Sequence, residues 1–188
     1  LTLKQIIFGL AALLLVASCR ENSKPIVSAE FVDSLLSNYT EPEMIRSVET
    51  DLQFWKSRID PKNPGLLNEL RYASTLVQRF HLSGDIQDII AADSILKKAD
   101  GTYNHKESAP NMALVRNSIL QHRFKQADSL LGEAKKADVK PYDAIAASFD
   151  VSFESGQYLL AETELKKIAD YNDYGYNFRY AKLAHYKG

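Results

Sequence analysis

The chain has 188 residues, 45% of them hydrophobic and 25% charged, enough for one sizeable core or a short array and too apolar for a disordered chain. Its 23 basic and 24 acidic residues leave a net charge of −1. No basic patch argues for nucleic acid, and no acidic tail is present.

The first expected element is a targeting segment. LTLKQIIFGLAALLLVASCREN carries Lys4 as a short basic region, an apolar run from Ile6 to Ala17, small residues at Ala17 and Ser18, and then Cys19. The run is shorter than the roughly 20 apolar residues of a membrane-spanning helix, so residues 1–18 read as a processed signal. Leu15-Val16-Ala17-Ser18-Cys19 resembles the bacterial lipobox, which implies cleavage before Cys19 and lipidation of that residue; an ordinary signal that happens to contain a cysteine is the alternative. Cys19 is the only cysteine, so no intramolecular disulfide competes for it. Residues 19–27, with Ser23 and Pro25, read as a flexible tether. The literal Leu1 suggests a non-standard start codon or a fragment.

Residues 28–65 are expected to form N-terminal helices, a cap or a degenerate repeat. Ser28 is placed to cap a short helix containing Phe31, Val32, Leu35 and Leu36, with Asn38-Tyr39 as the link. Met44, Ile45, Val48, Leu52, Trp55 and Ile59 recur at spacings of three and four, which puts them on one face of a helix opened by Thr40 and Pro42. That face is expected to be buried. DPKNPG, Asp60 to Gly65, then breaks the chain. No segment shows the sustained alternation of a half-buried strand, so the fold class is all-α.

From Leu66 onward the chain repeats itself. ADSILKKA begins at Ala92, ADSLLGEA at Ala127 and AETELKKI at Ala161, at intervals of 35 and 34 residues. Seven positions into each phrase stand Ala99, Ala134 and Ile168, two helical turns on and on the same face. Gly156-Gln157-Tyr158-Leu159-Leu160-Ala161 places a glycine where a helix ends, an aromatic where the next opens and a small residue inside it. His122, Phe124 and Ala127 occupy the same places one period earlier, with the glycine replaced. Gly84-Asp85 matches the turn three residues too early for Ala92, which implies an insertion, and Leu76, Val77 and Phe80 match the preceding helix.

Period and turn together resemble the tetratricopeptide repeat (TPR). The resemblance covers residues 66–170 as three repeats and implies a TPR-like α-solenoid of antiparallel helix pairs. Residues 171–188 read as a final helix, either the cap of the stack or the first half of a further repeat. In the family, the first helices of successive repeats line a groove that holds a peptide. That register, carried over, turns Arg71, Ser74, Gln78 and His81, then Met112 and Arg116, then Asp143 and Asp150 toward the groove.

No catalytic, cofactor or metal site is expected. The chain has no phosphate-binding loop, dinucleotide fingerprint, HExxH or paired-cysteine motif, and His81, His105, His122 and His185 are scattered. Tyr171, Tyr174, Tyr176, Phe178 and Tyr180 form an aromatic cluster expected to pack between repeats, the alternative being a stacking surface for a peptide or sugar. Asp33-Ser34-Leu35, Asp93-Ser94-Ile95 and Asp128-Ser129-Leu130 resemble an O-glycosylation acceptor of Bacteroidetes periplasmic proteins, although helical periodicity accounts for them equally.

The resulting expectation is a non-enzymatic TPR lipoprotein of a Gram-negative, Bacteroidetes-like bacterium. Its partners would be a protein or peptide and, through lipid on Cys19, a membrane, with no nucleic acid. The plan resembles small repeat lipoproteins that assist outer-membrane assembly, which implies the outer membrane facing the periplasm. A small solute- or glycan-binding lipoprotein, resembling the starch-utilisation outer-membrane family, is the alternative.

Overall fold

A computed structural model describes residues 26–40, 42–60 and 62–188. The expected signal segment, Cys19 and most of the tether lie outside the described residues. Among the described residues all regular structure is helical: nine α-helices and one turn of 3₁₀ helix. No helix among them is long and apolar enough to cross a membrane.

The chain divides into two units between residues 41 and 42. In the first, helix α1 spans Ala29–Ser37. The Ser28 hydroxyl accepts a hydrogen bond from the Phe31 amide at 3.2 Å, satisfying one of the helix's free donors. No residue of α1 is buried, and Phe31, Val32, Leu35 and Leu36 are all exposed.

The second unit begins with α2, Glu43–Lys56. Val48 and Leu52 are its buried residues, and Ile45, Trp55 and Ile59 of the same face are half-buried. Met44 is exposed, and Ile59 lies beyond the last helical turn. The following loop is fastened to the fold by Tyr103. Its hydroxyl donates to the Pro64 carbonyl at 3.0 Å and accepts from the Leu66 amide at 2.9 Å, one of the free donors at the start of the next helix.

Three helix pairs follow: α3, Leu66–Ser83, with α4, Ile86–Thr102; α5, Ser108–Leu120, with α6, Phe124–Lys136; and α7, Pro141–Glu154, with α8, Tyr158–Lys166. The 3₁₀ turn Ala169–Tyr171 leads to α9, Tyr174–Lys187. From α2 onward each helix packs on the next, α3 also meets α5, and α5 also meets α7. The repeated phrases lie on the second helix of each pair. Ala92, Ala127 and Ala161 each have 0% of their surface exposed, as do Ala99, Ala134 and Ile168. A larger side chain at the alanines would push neighbouring helix axes apart.

The turns inside the last two pairs close in the same way. The Gln157 amide donates to the Ser152 carbonyl at 2.8 Å and the Gly156 amide to Phe153 at 3.0 Å, with Gly156 at φ +80°. One period earlier, Arg123 donates to Ser118 at 2.7 Å and His122 to Ile119 at 2.9 Å, and His122 takes the left-handed conformation at φ +55°. In the first pair Gly84 holds the left-handed position at φ +74°, and α4 starts three residues further ahead of Ala92 than α6 does of Ala127. The shift found in the sequence is thus taken up inside a helix as almost one additional turn.

Three buried clusters link these pairs along the chain. Val48 and Leu52 of α2 meet Ala73, Leu76, Ala92, Leu96 and Leu114; Met112 and Val115 meet Ala127, Leu131, Ala134, Ala147 and Val151; Ala146 and Phe149 meet Ala161, Leu165, Ile168 and Leu183. Each cluster draws on the first helix of the following pair, or on α9, so no pair encloses its own core.

Candidate functional site

The first helices of the three pairs, α3, α5 and α7, line an open groove of about 1000 Å³. Ser74, Val77 and His81 run along α3 at spacings of three and four, with Arg71 at the N-terminal end of the stripe. Met112, Ala113 and Arg116 come from α5, in the middle, and Asp143, Ala146, Ala147 and Asp150 from α7. The segment before α7 closes one end with Asp138, Val139 and Lys140.

Of the residues that the TPR register turns toward the groove, the structure brings together Arg71, Ser74, His81, Met112, Arg116, Asp143 and Asp150. Gln78 is the exception. It is exposed on α3 and lies outside the lining, because Val77 takes the inward position and the next residue is rotated by about 100°. The register misses Val77, Lys140 and Arg179. The first lies on the same helix face as Ser74 and His81, three and four residues from them, and was accessible from spacing, whereas Arg179 reaches the groove from α9 and leaves no local signal.

Among the charged groups of the lining, Arg116 and Asp150 are the two whose pKa values burial displaces. Arg116 is open to solvent along the groove yet hemmed in by its walls; lost hydration lowers its pKa, while Asp143 and Asp150 pull the other way. It has no ion pair within 4.0 Å among the described residues. Burial raises the Asp150 pKa, and the bond to Arg179 offsets that rise only in part. Arg179 grips that carboxylate at both oxygens, at 3.0 and 2.5 Å. Asp150 is therefore a clamp between α7 and α9 as well as part of the groove wall. The groove thus combines apolar side chains with two guanidiniums, Arg71 and Arg116, that have no ion pair within 4.0 Å among the described residues.

The remaining singled-out residues lie elsewhere. His105 contacts Asp100 at 2.7 Å in the turn after α4, and His122 caps α5. Among the described residues no group of three or more side chains is arranged to hold a metal ion. Asp93 is buried, accepting from Asn117 at 2.9 Å, Gln121 at 3.0 Å and Arg123 at 3.2 Å, which assigns it to packing between α4 and the α5–α6 turn. The aromatic cluster departs from expectation. Tyr176 packs half-buried against the last core cluster, but Tyr171, Tyr174, Phe178 and Tyr180 are exposed. The packing sites on α9 are occupied by Leu183 and the stem of Arg179, and the remaining rings point away from them.

No known protein family, curated protein or solved structure matches this chain.

Proposed function

We propose that this protein is a non-enzymatic scaffold that holds another protein in the groove between α3, α5 and α7. The observation that carries the reading is the groove itself: about 1000 Å³, open, lined by the first helix of every pair, with Met112 and Arg116 at its centre. Met and Arg are both enriched in the cores of protein interfaces. The 35- and 34-residue intervals and the buried Ala92, Ala127 and Ala161 support a TPR-like solenoid of helix pairs. The lipobox-like run before Cys19 supports a lipid anchor and hence the cell envelope, with the outer membrane facing the periplasm as the proposed address.

The test is capture of partners from membranes by the native protein and by an Arg71→Ala, Arg116→Ala double variant. Asp150 is left intact because its loss would also release Arg179. A discrete partner retained by the native protein and lost by the variant, with unchanged thermal unfolding, supports the scaffold. Equal capture by both removes the groove from the function.

A second reading, a small glycan-binding lipoprotein, draws on the exposed rings of Tyr171, Tyr174, Phe178 and Tyr180. Saturable binding to a sugar panel, abolished by Tyr174→Ala, would favour it over the scaffold.

A further inference from the structure

The charges of the groove are unevenly placed. Among the described lining residues, α3 and α5 contribute Arg71, Arg116 and His81 and no acid. The acids Asp138, Asp143 and Asp150 all come from α7 and the segment before it, with Lys140 beside them. Asp150 is taken up by Arg179. Arg71 and Arg116 have no ion pair within 4.0 Å among the described residues, and neither has Asp143.

The two guanidiniums stand at different levels. Short turns make α3 and α5, on either side of α4, run in the same direction, and the two helices touch. Arg71 lies thirteen residues before the turn at Gly84 and Arg116 six before the turn at His122. That stagger of seven residues is about 10 Å along the helices. Axes of packed helices lie about 8–10 Å apart, so the diagonal between the two positions is about 14 Å. Ser74 and Met112, each ten residues before its turn, stand midway.

We propose that the groove takes an extended polypeptide segment with acidic side chains at positions i and i+4 and an apolar one at i+2, the acids reaching Arg71 and Arg116 and the apolar residue lying on Met112. Four residues of extended chain cover about 13 Å and return to the same face, which matches the diagonal. At about 1000 Å³ the groove is at the top of the range for small-molecule pockets, which favours a stretch of chain as its occupant. The walls strip part of the water from Arg116, so a carboxylate gains more there than at an open surface. Asp143 lies close enough to act on Arg116 and opposes an incoming acid. The inference rests on the scaffold reading and gives the partner a chemistry.

The test is fluorescence anisotropy of a labelled Gly-Ser-Glu-Ser-Leu-Ser-Glu-Ser-Gly peptide with the full chain carrying Cys19→Ser in non-ionic detergent. Saturable binding with a dissociation constant below about 1 mM is expected. Arg116→Gln should weaken it by about tenfold or more and Arg71→Gln severalfold, whereas Asp143→Asn should tighten it by about threefold. Opposite signs at Arg116 and Asp143, with unchanged circular dichroism melts, separate charge pairing from loss of fold. Absence of binding overturns the proposal, as does equal binding of the peptide with both Glu replaced by Gln, or binding that Arg116→Gln leaves unchanged. If the Arg71→Ala, Arg116→Ala double variant loses its membrane partner while the native protein ignores the peptide, the scaffold stands and the acidic segment falls. Equal capture of partners together with no peptide binding removes both. Saturable binding of oleate that Arg116→Gln abolishes, without peptide binding, assigns the groove to an anionic amphiphile and overturns the proposal.

Discussion

His122 shows how much of this fold rests on single backbone positions. It fills the place that Gly156 fills one period later, makes the same pair of turn hydrogen bonds, and holds φ +55° with a side chain attached. A Cβ in the left-handed region costs about 1–2 kcal/mol, part of which is returned by the edge contact of the imidazole with Phe124 at 5.7 Å. His122→Gly is therefore expected to raise stability by about 0.5 kcal/mol or more, read as a higher denaturation midpoint with an unchanged slope. Asp173 carries a different dependence. Its carboxylate accepts from the Tyr176 amide at 2.7 Å and from the Tyr142 hydroxyl at 2.7 Å, and these bonds hold its pKa below the ordinary carboxylate value. A depressed pKa contributes stability that is fully present above the unfolded-state value and is lost as pH falls through the folded one. The docking of α9 should accordingly loosen below about pH 4, and Asp173→Asn should flatten that part of the stability profile.

At the scale of elements, the governing feature is the seam of small residues on α4, α6 and α8. Ala127 has no exposed surface and shares a cluster with Met112, Val115 and Val151 from the two flanking first helices. Ala127→Arg forces both volume and an unpaired charge into that cluster, with an expected loss of more than about 4 kcal/mol and a melt that takes neighbouring pairs with it. Thermal unfolding by circular dichroism checks this; an unchanged midpoint would remove the packing account. Ala181, exposed on α9, provides the matched control, because Ala181→Arg should leave the same melt in place. Helix capping is less uniform than the repeat suggests. Gly84 and Gly156 end their helices without strain, whereas α4 ends through two non-glycine residues at positive φ, Asn104 at 53° and His105 at 59°.

For the whole molecule, the relevant quantity is how the clusters share helices. α5 supplies Leu114 to the first cluster and Met112 and Val115 to the second, and α7 supplies Ala147 and Val151 to the second and Ala146 and Phe149 to the third. Stability spread in this way over neighbours makes unfolding propagate from one pair to the next. The proposed attachment to a membrane is tested at this scale too. On the lipid-anchor reading, Cys19→Ser should move the protein from the detergent-extracted fraction to the soluble one and abolish incorporation of labelled fatty acid; retention of both would overturn the reading.

Local chemistry determined the helical class, the turn glycines Gly84 and Gly156, the Ser28 cap and the small residues that end up buried. These depend on spacings of three, four and seven and on backbone preferences, which operate within a few residues of chain. The residues that the register of the TPR resemblance turns inward, from Arg71 to Asp150, also line one groove, although Gln78 yields its place to Val77. Only the tertiary structure decided what pairs with what. Asp150 is held by Arg179, 29 residues away, and Tyr103 fastens a loop 39 residues earlier. It decided as well that Tyr174 and Phe178 remain uncovered while Tyr176 does not, because which side of a helix is buried depends on where the neighbouring helices lie, and that is a property of the packed whole.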